Sequence, residues 1–195
     1  MRFIPTFIFF TLILCLSATG VDDCGLKIST EKGKDGKRHI RASFNLKADP
    51  DEVYNTLLDV ELFPEFMPGS ADVKMVEKSS DYQIVRFSGN RGLLSGDVVM
   101  KRIRDLQKRQ IEWFLIDGLP KEVRGYWLVE TDKNDKSLTV VHYSNYVDAG
   151  TLVPGFLVRK FLYEDIEKMV PNIIKRVESG GKWVSDEYMD KKRDH

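Results

Sequence analysis

Histidine and cysteine are scarce, three and two in a chain of 195 residues. Two cysteines exclude a disulfide scaffold and a cysteine-rich zinc or iron–sulfur site. An excess of either charge is missing too: 30 Lys and Arg balance 30 Asp and Glu. A dedicated nucleic-acid binder carries a basic excess, so that class is disfavoured. Common catalytic motifs are absent, with no His-Glu-x-x-His, no P-loop and no Gly-x-Ser-x-Gly elbow. Gly33–Lys37 and Gly180-Gly181-Lys182 lack phosphate-loop spacing. His39, His142 and His195 stand apart in sequence, and no carboxylate sits in an apolar stretch suited to acid–base work. No metal, cofactor or catalytic residue is therefore assigned.

What is present is apolar residue in quantity, 42% of the chain. With zero net charge, that content excludes a disordered protein. A chain of this length forms one ordinary domain and buries roughly 70% of its unfolded surface, with no need of a staple.

The N-terminus reads as an address. Met1-Arg2, an apolar run over residues 3–16 and Ser17-Ala18-Thr19-Gly20 have the pattern of a secretory signal peptide cleaved before Val21. The alternative is an uncleaved anchor, for which the run is short, since spanning takes roughly 20 apolar residues. The expected organisation is a signal peptide at 1–20, one domain at 21–185 and a charged, flexible tail at 186–195. The expected location is periplasmic or secreted. Cys15 leaves with the signal. Cys24, preceded by Asp22-Asp23, does not fit a lipoprotein site and either stays free or pairs between chains.

The body changes period along its length. Residues 26–46 read as two strands around Gly33-Lys34-Asp35-Gly36, with Ile40, Ala42, Phe44 and Leu46 alternating with polar neighbours. Asp49 and Pro50 then supply an N-cap and first helical position. Val53, Tyr54, Leu57 and Leu58 follow at helical spacing. Leu62, Phe63, Phe66 and Met67, between Pro64 and Pro68, form a second short helical piece. Strands are expected near 71–78, 82–88, 97–105, 110–116, 123–131 and 138–147, the rhythm of an antiparallel sheet. Leu157, Phe161, Leu162, Ile166, Met169, Val170, Ile173, Ile174 and Val177 mark one apolar face of a helix over 154–178. Pro171 is expected to kink it and Gly180-Gly181 to stop it. The fold class is α+β.

Four phrases carry a family resemblance: Ala48-Asp49-Pro50-Asp51-Glu52-Val53-Tyr54, Asp59 through Phe63-Pro64-Glu65-Phe66-Met67-Pro68-Gly69, Gly125-Tyr126-Trp127, and Asp148-Ala149-Gly150 through Pro154. In this order, ahead of the final helix, the chain resembles the START-like (SRPBCC, helix-grip) superfamily, in its polyketide cyclase/dehydrase and coenzyme Q-binding branch. The resemblance implies a strongly curved antiparallel sheet wrapped around the C-terminal helix. It also implies a tunnel between them for lipids, quinones or polyketides.

The apolar parity agrees. Val123, Gly125, Trp127 and Val129, Ile111, Trp113 and Leu115, and Val141, Tyr143, Asn145 and Val147 are expected to face inward. The facing of Met100, Arg102 and Arg104, and of Ile84 and Arg86, stays open. The candidate cavity residues are Phe63, Phe66, Met67, Met100, Arg102, Trp113, Trp127, Tyr143, Asn145, Phe161 and Met169. Trp113 and Trp127 either line a cavity or are plain core. Arg102 or Arg86 meets a ligand anion, or snorkels at the surface. Phe63, Phe66 and Met67 form a movable lip or simply cap the sheet. Leu93-Leu94 and Leu152-Val153 touch a membrane or pack on each other.

The expected function is an exported carrier that encloses a hydrophobic small molecule, with transient membrane contact and no nucleic-acid partner. Two other readings stay open: a cyclase or dehydratase working through Tyr143, Asn145 and Arg102, and a protein-interaction module with a filled core.

Overall fold

The computed structural model describes residues 24–70, 72–89, 96–151 and 153–193. The expected signal peptide, Cys15, Leu93-Leu94, Leu152 and His195 lie outside them. No described helix is long and apolar enough to cross a membrane.

Eight strands form one antiparallel sheet: β1 (Lys27–Lys32), β2 (Arg38–Leu46), β3 (Asp72–Lys78), β4 (Tyr82–Gly89), β5 (Gly96–Asp105), β6 (Gln110–Gly118), β7 (Glu122–Thr131) and β8 (Thr139–Asp148). Their spatial order is β1-β2-β8-β7-β6-β5-β4-β3. The chain thus makes one long jump, from β2 to β3, and β8 returns to close against β2. That jump contains α1 (Pro50–Leu58), a single 3-10 turn (Val60–Leu62) and α2 (Phe63–Phe66). After β8 come α3 (Gly155–Glu178) and α4 (Asp186–Arg193). The arrangement is the α+β helix-grip fold, a curved sheet holding α3.

Local chemistry places each piece. Asp49 caps α1 by accepting from the Asp51 amide, and Pro50 opens the helix. On β2, Ile40, Ala42, Phe44 and Leu46 are buried while their neighbours are not, as a half-buried strand requires. Register carries this face across the sheet: Phe44 pairs with Val141, Val141 with Val129, and Ala42 with Tyr143. The odd residues of β6, β7 and β8 turn inward as their parity implies. On β5 the open question resolves in favour of the even set, since Arg102 pairs with inward Trp113 and Met100 with Leu115. Arg86 takes the convex face and pairs with Asp97 at 3.0 Å.

Strands and α3 run between two unlike ends. At one end Phe44, Leu57, Ile111, Val129, Val141 and Ile173 are fully buried beneath α1, α2 and the C-terminal half of α3. At the other, inward residues of the core such as Leu115, Val147 and Leu162 stay only partly covered. The N-terminal half of α3 covers that end.

Two expectations change here. Phe161 is expected on the buried apolar face of α3 beside Leu162, but it is 48% exposed. The inward row near its start is Val158, Leu162 and Ile166, and Phe161 lies roughly a quarter-turn off it. Of the adjacent apolar pairs on α3, only Ile173 and Ile174, where helix, sheet and α2 converge, are both buried. Pro171 lies within α3, as its position in the sequence implies. The charged tail expected to be flexible forms α4, attached where the Ser185 amide donates to the Glu65 carbonyl at 2.8 Å.

Candidate functional site

The concave wall is built around three rings. Trp113 lies 6.1 Å from Trp127 and 5.9 Å from Tyr143, while Trp127 and Tyr143 are 4.5 Å apart between centroids. Trp113 Nε1 donates to Asn145 Oδ1 at 3.3 Å, which satisfies the indole and orients the amide. The close stacking depends on Gly125. A Cβ there would stand 2.5 Å from Trp113 Cζ2 and 2.3 Å from the Ser144 carbonyl oxygen, so the indole lies directly across the β7 backbone. Four candidates (Trp113, Trp127, Tyr143 and Asn145) are thus one cluster. Met100 and Met169 face the same interior and are half-buried.

Arg102 is inward but occupied. It is 4% exposed, and its Nη2 donates to the Leu57 carbonyl at 2.6 Å. Its Nη1 donates to the Leu58 carbonyl at 3.2 Å and to Gln83 Oε1 at 2.9 Å. The last turn of α1 has no basic residue of its own. Arg102 therefore caps that helix from β5, meeting carbonyls that would otherwise be orphaned. Burial pushes its pKa down to about 10, against the opposing pull of Tyr54 and Asp59, so it remains a cation at neutral pH. Neither a ligand-pairing nor a snorkelling arginine describes it.

Phe63, Phe66 and Met67 are also buried, and α2 is fastened rather than free. Arg176, 4% exposed, bonds Glu65 Oε2 at 2.6 Å and the Trp183 carbonyl at 2.7 Å. Asn172 Nδ2 donates to the Phe66 carbonyl at 2.8 Å. These bonds hold α2 as a cap on the sheet in this structure.

On the convex face, sequence reading missed a Ser–His–Asp chain. Ser144 Oγ is 3.3 Å from His39 Nδ1, and His39 Nε2 is 3.0 Å from Asp35 Oδ2. It is not a nucleophile site. Ser144 is 1% exposed and sits mid-strand, paired with Arg41 on one side and Tyr126 on the other. Its strand amides serve the ladder, leaving no oxyanion donors. His142 faces the same side, 3.3 Å from Glu130, in the surface role its parity implies.

Two adjoining clefts open at the less covered end. One, of about 390 Å³, is lined by residues including Ile40, Phe156, Arg159 and Lys160. The other, of about 230 Å³, is lined by residues including Arg38, Ile40, Val147, Arg159 and Leu162. None of the eleven candidates lies on these walls; ten belong to the interior beyond, and Phe161 is exposed on α3. Arg38 and Arg159 were not singled out from sequence. Arg38 was legible in principle, being one step further along the alternation of Ile40, Ala42 and Phe44.

The family model for polyketide cyclase / dehydrase and lipid transport matches residues 46–174, from the end of β2 into the last turns of α3. Among curated proteins none matches the sequence. Similar solved structures include the ZhuI aromatase/cyclase from Streptomyces sp. R1128, at 20% identity and TM-score 0.56 over 74% of this chain and 93% of that one. A STAR-related lipid transfer protein from Xanthomonas axonopodis aligns at 18% identity and TM-score 0.63, over 79% and 94%. Human StAR-related lipid transfer protein 5 aligns at 14% identity and TM-score 0.62, over 80% and 87%. At such identities the likeness is one of fold.

Proposed function

The chain belongs to the polyketide cyclase / dehydrase and lipid transport family, and from that membership we propose that it is an exported carrier for a hydrophobic small molecule. The ligand class is a lipid, a quinone or another isoprenoid, or a polyketide-like compound, held between the concave sheet and α3. Transient membrane contact would load and unload it. The observation that carries this reading is the uneven burial of the inward face. Trp113, Trp127 and Tyr143 form a preformed aromatic wall, and toward the cleft end the inward residues Met100, Leu115 and Leu162 stay partly uncovered. Covering such surface with an apolar ligand contributes about 25 cal/mol per Å².

Binding is favoured over turnover by the state of the polar groups. Arg102 and Gln83 serve α1, and Asn145 accepts from Trp113, so each already has a structural partner. The test is native mass spectrometry of protein purified from its exporting host, followed by solvent extraction. A stoichiometric apolar ligand is expected. A bare polypeptide mass that stays unchanged after incubation with a lipid extract would overturn the carrier reading.

A further inference from the structure

The inward row of β2 is apolar from Leu46 back to Ile40, and its next member, at the rim, is Arg38. α3 makes a similar transition. Leu162 packs on the core, and Arg159, nearly one turn earlier, stands exposed. Both arginines line the 230 Å³ cleft together with Ile40 and Leu162, and Arg159 also lines its neighbour. The mouth therefore passes from cationic to apolar over two residues on β2 and three on α3.

Among the described residues, no carboxylate lies within ion-pair distance of Arg38 or Arg159. The acids nearby are occupied. Asp148, on the same cleft wall, accepts from the Gly150 amide at 2.9 Å and lies 3.7 Å from Lys121 Nζ. Glu164, in the larger cleft, lies 3.8 Å from Lys160 Nζ.

We propose that this mouth receives the anionic head of an amphiphile, a carboxylate or a phosphate, with Arg38 and Arg159 as its partners and the chain directed inward past Ile40, Val147 and Leu162. The inference rests on the carrier reading and adds the ligand's charge and its orientation, head outward and chain inward. A planar guanidinium meets two oxygens of either head at once, which an uncharged alcohol cannot reciprocate.

The test is calorimetric titration of the mature protein with three ligands sharing one sixteen-carbon chain: hexadecanoate, hexadecyl phosphate and 1-hexadecanol. The wild type is expected to bind the two anions about tenfold more tightly than the alcohol, a preference that weakens as salt is raised. Arg38→Gln and Arg159→Gln should each remove about threefold of that preference and leave the alcohol unaffected. Arg159→Lys should retain most of it.

Equal binding of all three ligands by the wild type would overturn the inference and leave the carrier reading standing. No binding of any would overturn the inference, and the native mass spectrum would then decide the carrier reading separately. A preference retained in both Gln variants would place the head elsewhere and likewise overturn it. If the same variants lost binding only to vesicles of phosphatidylglycerol and phosphatidylcholine, the arginines would serve a membrane surface instead, and the inference would fail.

Discussion

Arg102 carries a charge into the interior, and its value lies in what it finishes. Three of its hydrogen bonds end on the Leu57 and Leu58 carbonyls and on Gln83, and its guanidinium lies 5.5 Å from the Phe63 ring centroid. Removing it orphans the end of α1 and empties a packed volume. Arg102→Met is therefore expected to cost about 3 kcal/mol of stability, read as a lower urea midpoint. Ligand affinity of the folded fraction should not change, because the bonds lost are to the helix; a selective loss of affinity would return Arg102 to the ligand. Gly125→Ala acts at the same scale but through shape. Its methyl would collide with the Ser144 carbonyl as well as Trp113, so the β7–β8 pairing must shift and the ring cluster open, at a cost of about 2 kcal/mol or more. A lower melting temperature and altered tryptophan fluorescence would register it. On the surface, Asp35 is held below the usual 3.8, first by the Lys37 amide and then by His39. A carboxylate with a lowered pKa stabilises the fold above its unfolded value and loses that contribution as the pH drops through the folded one. The urea midpoints of wild type and Asp35→Asn should differ at pH 6 and draw together as the pH falls from about 3.8 through the lowered folded-state value; a difference that stays constant across the acid range would point to a cause other than the charge.

Elements differ in how far their neighbours can be read from the chain. The α1 N-cap, the strand rhythm and the alternation of β2, β6, β7 and β8 are local properties, and each was legible. Whether the even face of β5 points inward was not, because Met100 and Arg102 give opposite signals. The decision came from a helix end about 45 residues earlier in the chain. The inward Arg102 is paid for by carbonyls that periodicity cannot see. Phe161 was misplaced for a related reason. Its hydrophobicity is clear from sequence, but how wide a stripe α3 buries depends on how far the sheet and α2 reach along it. The fastening of α2 is likewise tertiary, since Glu65 and Arg176 meet across 111 residues. Glu65→Gln would leave the buried Arg176 without its counter-ion, so a loss of about 3 kcal/mol is expected in denaturant unfolding. Amides of α2 and α4 should then exchange faster than those of β7; uniform acceleration through the molecule would mean that α2 is not separately held.

At the scale of the whole molecule, the two ends have different tasks. Phe44, Val129, Val141 and Ile173 close one end, with α1 and α2 stacked over it, and opening there requires breaking the core itself. Toward the other end Leu115, Val147 and Leu162 remain partly covered beside the two clefts, and on the carrier reading this is the end at which an apolar chain would enter. This asymmetry follows from connectivity. The helices between β2 and β3 necessarily lie at the end where β2 finishes, and α3 begins where β8 finishes, at the opposite end. Ligand stabilisation should therefore be local in origin even though it raises the global melting temperature. In hydrogen-exchange mass spectrometry, adding hexadecanoate is expected to slow exchange around Leu115, Val147 and Leu162. Segments around Phe44 and Val129, already limited by global opening, should slow only to the extent that total stability rises. Protection centred on α1 and α2 instead would put the entrance at the capped end. It would require the Arg176–Glu65 fastening to open during binding, which the Glu65→Gln variant would then accelerate.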